Sequence, residues 1–200
     1  ITAWDLDLAG SLTSGTKTVS VHASPSGQTI GLGDTGKDTH VVGDEIQRIT
    51  ASGGAVVGGS AAGTITVNGV STSHSTYLAP LVTLVAKNTG ATAQITFTSS
   101  ESIFTGLDAQ ADNGILVNQD LKTTSGGIYL DGDVEDATES GGTAYNQVGF
   151  TDGRTVTAET VLTLESTTGT GTLFLVNRGS LILSAGSGIV IQNIMTGVAN

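Results

Sequence analysis

Short alternating segments separated by small polar turns constrain this chain most. The clearest run is near the C-terminus: V-L-T-L-E at 161–165, T-L-F-L-V at 172–176, L-I-L at 181–183 and I-V-I at 189–191. Thr-Gly-Thr-Gly, Asn-Arg-Gly-Ser and Ala-Gly-Ser-Gly stand between them. Alternation with a period of two is the signature of a half-buried strand. The strands recur at roughly 8 to 11 residues, the spacing of strands joined by tight corners. Three such strands make a coil of roughly 20 to 28 residues, the size of a solenoid rung.

The same reading extends along the chain. It predicts strands at 4–8, 18–22, 29–32, 64–68, 81–86, 94–98, 115–118, 127–130, 155–158, 161–165, 172–176, 180–184 and 189–192. Residues 43–51, G-D-E-I-Q-R-I-T-A, differ: Ile46 and Ile49 are three apart, Asp44 and Glu45 open the segment, and Arg48 lies near its end. That pattern suits one short helical turn whose charges complement the helix dipole. Residues 53–63 and 132–149 read as loop excursions. The fold expected is all-β, a right-handed parallel β-solenoid (β-helix) of about eight to ten coils. A β-sandwich is the runner-up.

Composition narrows the function. The 200 residues include 29 Gly, 2 Pro and no Cys, so disulfides and thiolate metal sites are excluded. Charged residues are only 12%, and about a quarter of the chain is Ser or Thr. The net charge of -11, with Lys+Arg 7 against Asp+Glu 18, argues against nucleic acid. No apolar run approaches the ~20 residues needed to span a bilayer, so no membrane insertion is expected. No signal peptide is visible, and the chain reads as an excerpt of something longer.

Two stretches resemble repeats of very large bacterial and algal surface proteins of the filamentous-haemagglutinin-like, adhesin type. One is I-T-A-W-D-L-D-L-A-G-S-L-T-S-G-T-K-T-V-S-V at 1–21, running into T-I-G-L-G-D-T-G-K-D-T-H-V-V-G-D-E-I-Q-R-I-T-A-S-G at 29–53. The other is I-L-V-N-Q-D-L-K-T-T-S-G-G-I-Y-L-D-G-D-V at 115–134. The likeness covers the first quarter and, more loosely, 115–192. It implies right-handed parallel β-helices built into long exported stalks that adhere. It carries no catalytic motif, so no enzyme is expected.

Candidate sites are few. Asp5/Asp7 and Asp131/Asp133 are each two apart and would share a face on a strand. Asp131, Asp133, Glu135 and Asp136 form an acidic turn, a candidate weak Ca²⁺ site because Ca²⁺ prefers oxygen ligands. It lacks the Gly and Glu spacing of an EF-hand, so it is weighed against a solvated loop. His22, His40 and His74 show no metal-ligand spacing. Reading Asn200 into Ile1 gives a natural turn–strand passage and creates an Asn200-Ile1-Thr2 glycosylation sequon. Ile1, Trp4, Ile189 and Ile191 are therefore the expected assembly ends. The function expected is a building block of an extracellular or cell-surface fibre, stalk or sheath. Its partners would be copies of itself or adjacent repeats. The alternative is an adhesin module binding a surface glycan or receptor through 132–149 or the face near 53–63.

Overall fold

The computed structural model describes residues 1–88, 93–135, 146–166 and 180–192, and the backbone of 171–175. The chain opens with β1 (Thr2–Ala3), β2 (Leu12–Gly15), β3 (Val19–Ala23) and β4 (Gln28–Gly33). Strand β5 (Thr39–Val41) leads into helix α1 (Gly43–Gln47). Next come β6 (Ile49–Ala51), β7 (Ala55–Gly59), β8 (Ala62–Asn68) and helix α2 (Thr72–Ser75). From there strands follow in sets of three. They are β9 (Val82–Ala86), β10 (Ile95–Phe97) and β11 (Ser102–Phe104), then β12 (Leu107–Ala111), β13 (Ile115–Val117) and β14 (Leu121–Thr123). The third set is β15 (Ile128–Asp131), β16 (Gln147–Phe150) and β17 (Arg154–Ala158). The fourth is β18 (Val161–Glu165), β19 (Gly171–Leu175) and β20 (Leu181–Ala185), and β21 (Gly188–Ile191) follows.

These strands form several parallel sheets. One has eight strands, ordered β1-β3-β7-β9-β12-β15-β18-β21. A second is ordered β19-β16-β13-β10-β8-β4-β5, a third β11-β14-β17-β20, and β2 pairs with β6. Successive strands of a set enter the three larger sheets in turn. Every pair among the described residues is parallel, unlike the antiparallel pairing of a β-sandwich. The protein is thus β-rich, with helices of only five and four residues.

Alternation decides what is buried. In β9, Val82, Leu84 and Ala86 point inward while Thr83 and Val85 point outward. Register stacks like on like. Val19, Ala55, Val82, Leu107, Ile128, Leu162 and Ile189 form one inward file. Val21, Val57, Leu84, Ala109, Leu130, Leu164 and Ile191 form the next. All but the β21 members are buried. Phe97, Phe104 and Phe150 fill the same core from the other sheets.

Three local expectations are corrected. Residues 53–63 are not a loop: β7 and the start of β8 occupy them, with Gly58 at φ +98 and Gly59 at φ +137 supplying the irregular backbone. Residues 4–8 alternate but form no strand. The Trp4 carbonyl accepts from Gln28 Nε2 (2.5 Å) and Thr39 Oγ1 (2.8 Å), and β5 pairs with β4. Asp5 and Asp7 therefore do not share a strand face; Asp5 Oδ1 accepts from Leu6 N and His40 N. The helix expected over 43–51 ends at Gln47, and Ile49 belongs to β6. Both isoleucines are buried, as their spacing implied.

Glu45 explains how α1 is held. Its carboxylate accepts from Val42 N (2.9 Å), closing the first turn, and from Leu8 N (2.8 Å). Arg48 donates to Leu8 O (2.7 Å). The N-terminal segment is thereby tied to the helix, with Leu6, Leu8 and Leu12 packed against the core.

Candidate functional site

The outer face of the eight-stranded sheet concentrates the chemistry. Its outward file runs Thr83, Asp108, Tyr129, Thr163 and Val190. Beside it run Val85, Gln110, Asp131 and Glu165. Asp108, Gln110, Tyr129, Asp131, Thr163 and Glu165 therefore meet on three neighbouring strands, β12, β15 and β18. The Tyr129 hydroxyl donates to Glu165 Oε2 (2.6 Å), and Asp131 Oδ2 lies 3.4 Å from it. Gln110 Nε2 donates to both oxygens of Asp108, at 3.1 and 3.2 Å.

Proton affinities on this face are perturbed. Burial pushes the Asp131 carboxyl up to about 6, and Glu165 and Asp133 add to the effect. Hydrogen bonds from Asp133 N and the Tyr129 hydroxyl oppose it. Burial also raises Asp108, against the hydrogen bond from Gln110. Tyr129 is raised by burial, by its bond to Glu165 and by the surrounding carboxylates.

A groove lies along the same face. At the start of the strands, Leu81, Gly106, Gly127 and Val161 stand in file: Val82 N donates to Gly106 O and Leu107 N to Gly127 O, both at 3.0 Å. Leu81 and Val161 are exposed. Between them lies an open groove of about 300 Å³, lined also by Gly127, Asp108, Tyr129 and Thr163.

The acidic turn is divided by the fold. Asp131 ends β15 on the outer face, whereas Asp133 is 1% exposed and accepts from Asn146 Nδ2 (2.9 Å). The expectation that they share a strand face is therefore corrected: β15 stops at Asp131. Glu135 lies beside Asp112, a buried carboxyl from the end of β12. Burial first, then Asp112, pushes Glu135 upward. Asp136 is outside the described residues. Among those described, no three His, Asp or Glu side chains form a group able to hold a metal.

The histidines lie apart. His22 Nδ1 lies 2.6 Å from Gly58 O, and His40 is 3.3 Å from Asp5. His74 caps α2 and packs over Gly43.

The expected assembly residues fall at opposite edges of the eight-stranded sheet. Ile1 and Trp4 flank β1 and are exposed; the Ile1 amino group donates to Ser20 O (2.7 Å). Ile189 and Ile191 lie in β21. Asn200 is outside the described residues. No helix of the described residues is long and apolar enough to cross a membrane.

Sequence reasoning missed Asp108, Asp112, Tyr129 and Glu165 as members of these groups. The pairing of strands 21 and 34 residues apart brings them together. No protein family, curated protein or solved structure matches the chain.

Proposed function

We propose that this chain is a segment of a right-handed parallel β-solenoid serving as a building block of an extracellular or cell-surface fibre, stalk or sheath. Each segment continues into the next by strand pairing at the edges of the eight-stranded sheet. The carrying observation is the inward file that runs through seven strands and finishes on Ile189. Its partner Leu162 is wholly buried, yet Ile189 is 43% exposed. Among the described residues β21 is paired on one side only, and an edge with an exposed apolar stripe is a template for another strand. The strands of each set visit the three larger sheets in turn, as a chain winding round one axis does. Parallel crossovers are right-handed in about 98% of cases, which supports the hand.

Sedimentation velocity and electron microscopy of the purified chain test this. Concentration-dependent end-to-end oligomers or filaments are expected, and Ile189→Lys abolishes them. A monomer at all concentrations overturns the end-to-end reading, as do oligomers indifferent to Ile189→Lys.

A further inference from the structure

We propose that the groove between Leu81 and Val161 is a binding subsite for an uncharged oligosaccharide. The site is distinct from the segments 53–63 and 132–149, and it stands whether or not units join end to end.

The groove is built rather than incidental. A Cβ at Gly127 would meet Val161 O at 2.5 Å, and one at Gly106 would meet Pro80 O at 2.8 Å. Close backbone packing thus excludes side chains from the floor, while Leu81 and Val161 stand as apolar walls at its ends. Three strand spacings separate those walls, ~14 Å, room for about two or three pyranose rings.

The lining matches a sugar's two characters. A pyranose has apolar C–H faces and a rim of hydroxyls. Leu81, Val161 and the Tyr129 ring offer apolar contact. Asp108 accepts hydroxyl protons, and Thr163 can donate or accept. The Tyr129 ring is already oriented by its 2.6 Å bond to Glu165, so less entropy is lost on binding. Asp108 is already partly desolvated, which raises its proton affinity; donors from a ligand would relieve that cost.

Charge selects among sugars. Asp108, Asp131 and Glu165 share this face, and none of β12, β15 and β18 carries a Lys, Arg or His. With a net charge of -11, the face repels uronates and sulfated chains.

The test is calorimetric titration with cellohexaose, maltohexaose and xylohexaose, against hexagalacturonate and a glucosamine hexamer. At least one uncharged oligomer is expected to bind, and hexagalacturonate is not. Tyr129→Ala should weaken binding about tenfold, the loss of one ring contact. Tyr129→Phe, which keeps the ring, should retain most of it, and Asp108→Asn should weaken it several-fold. Far-UV dichroism and the urea midpoint check each fold, and Asp108→Asn remains decisive if Tyr129→Ala unfolds. Absence of binding by every uncharged oligomer at about 10 mM overturns the proposal. So does binding that both Tyr129→Ala and Asp108→Asn leave unchanged in folded protein. Tighter binding of the glucosamine hexamer than of any uncharged oligomer also overturns it, in favour of an ammonium site.

Discussion

The inward files make a quantitative prediction about shared volume. Ala109 and Leu130 are register partners on adjacent strands, followed in file by Leu164, and all three are fully buried. Leu130→Ala removes three carbons from a slot whose neighbour Ala109 cannot expand. Strand spacing is held at about 4.8 Å by the hydrogen bonds on both sides, so the slot collapses poorly. The cost should fall in the upper half of the Leu→Ala range, about 4 kcal/mol. Ala109→Leu alone forces three carbons under Leu130 and should cost about 2 kcal/mol. In the double variant the added leucine occupies the space the other vacates. Its cost should be about 2–3 kcal/mol rather than the ~6 of an additive pair, a coupling of about 3 kcal/mol. Urea unfolding at unchanged slope measures all three. Additivity within about 0.5 kcal/mol would refute a shared slot and the register behind it.

Three further outcomes follow from single groups. Glu45→Ala leaves Leu8 N and Val42 N without their acceptor and should cost about 2–3 kcal/mol in urea unfolding, with Glu45→Gln costing less. Gly58→Ala drives a Cβ into the Val85 carbonyl oxygen, with Ile65 Cδ1 at 2.9 Å, at a φ of +98, and should lower stability by about 3 kcal/mol. Asp131 and Glu135 both hold their protons more tightly folded than unfolded. Asp131's contribution is fully present below its unfolded value of 3.8 and is lost as pH rises through about 6; Glu135's is lost in the same direction. Allowing for solvent screening, Asp131 should account for about 1 kcal/mol of decline between pH 4 and 7. Asp131→Asn should flatten that part of the profile; an unchanged slope would refute the assignment.

Side-chain size governed which strands were legible. Segments such as V-L-T-L-E at 161–165 and T-L-F-L at 172–175 place large aliphatics at every second position, and strands stand there. Strand β12, L-D-A-Q-A, also alternates, but its inward residues after Leu107 are alanines. Ala55–Gly59 reads A-V-V-G-G and looked like a loop for the same reason. Where several sheets face one narrow core, an inward position can be filled by a methyl group, and the hydrophobic contrast disappears. Conversely W-D-L-D-L at 4–8 shows strong contrast without a ladder. Side chains of Gln28 and Thr39 take the Trp4 carbonyl, and no strand pairing engages the segment.

The outer site was illegible for a different reason. Asp108, Tyr129 and Thr163 are 21 and 34 residues apart, while the preceding step, Val82 to Leu107, is 25. A fixed period cannot align residues across steps so unequal, and local spacing pairs Asp131 with Asp133 instead. Register pairs Asp131 with Gln110 and Glu165. The extra length lies between strands: in the 34-residue step from Ile128 to Leu162, β15 ends at Asp131 and β16 begins at Gln147, while the ladders on either side stay in register. Steps of unequal length thus leave the inward files continuous. The fold is therefore written in the strands' period of two, and the site in the unequal steps between them.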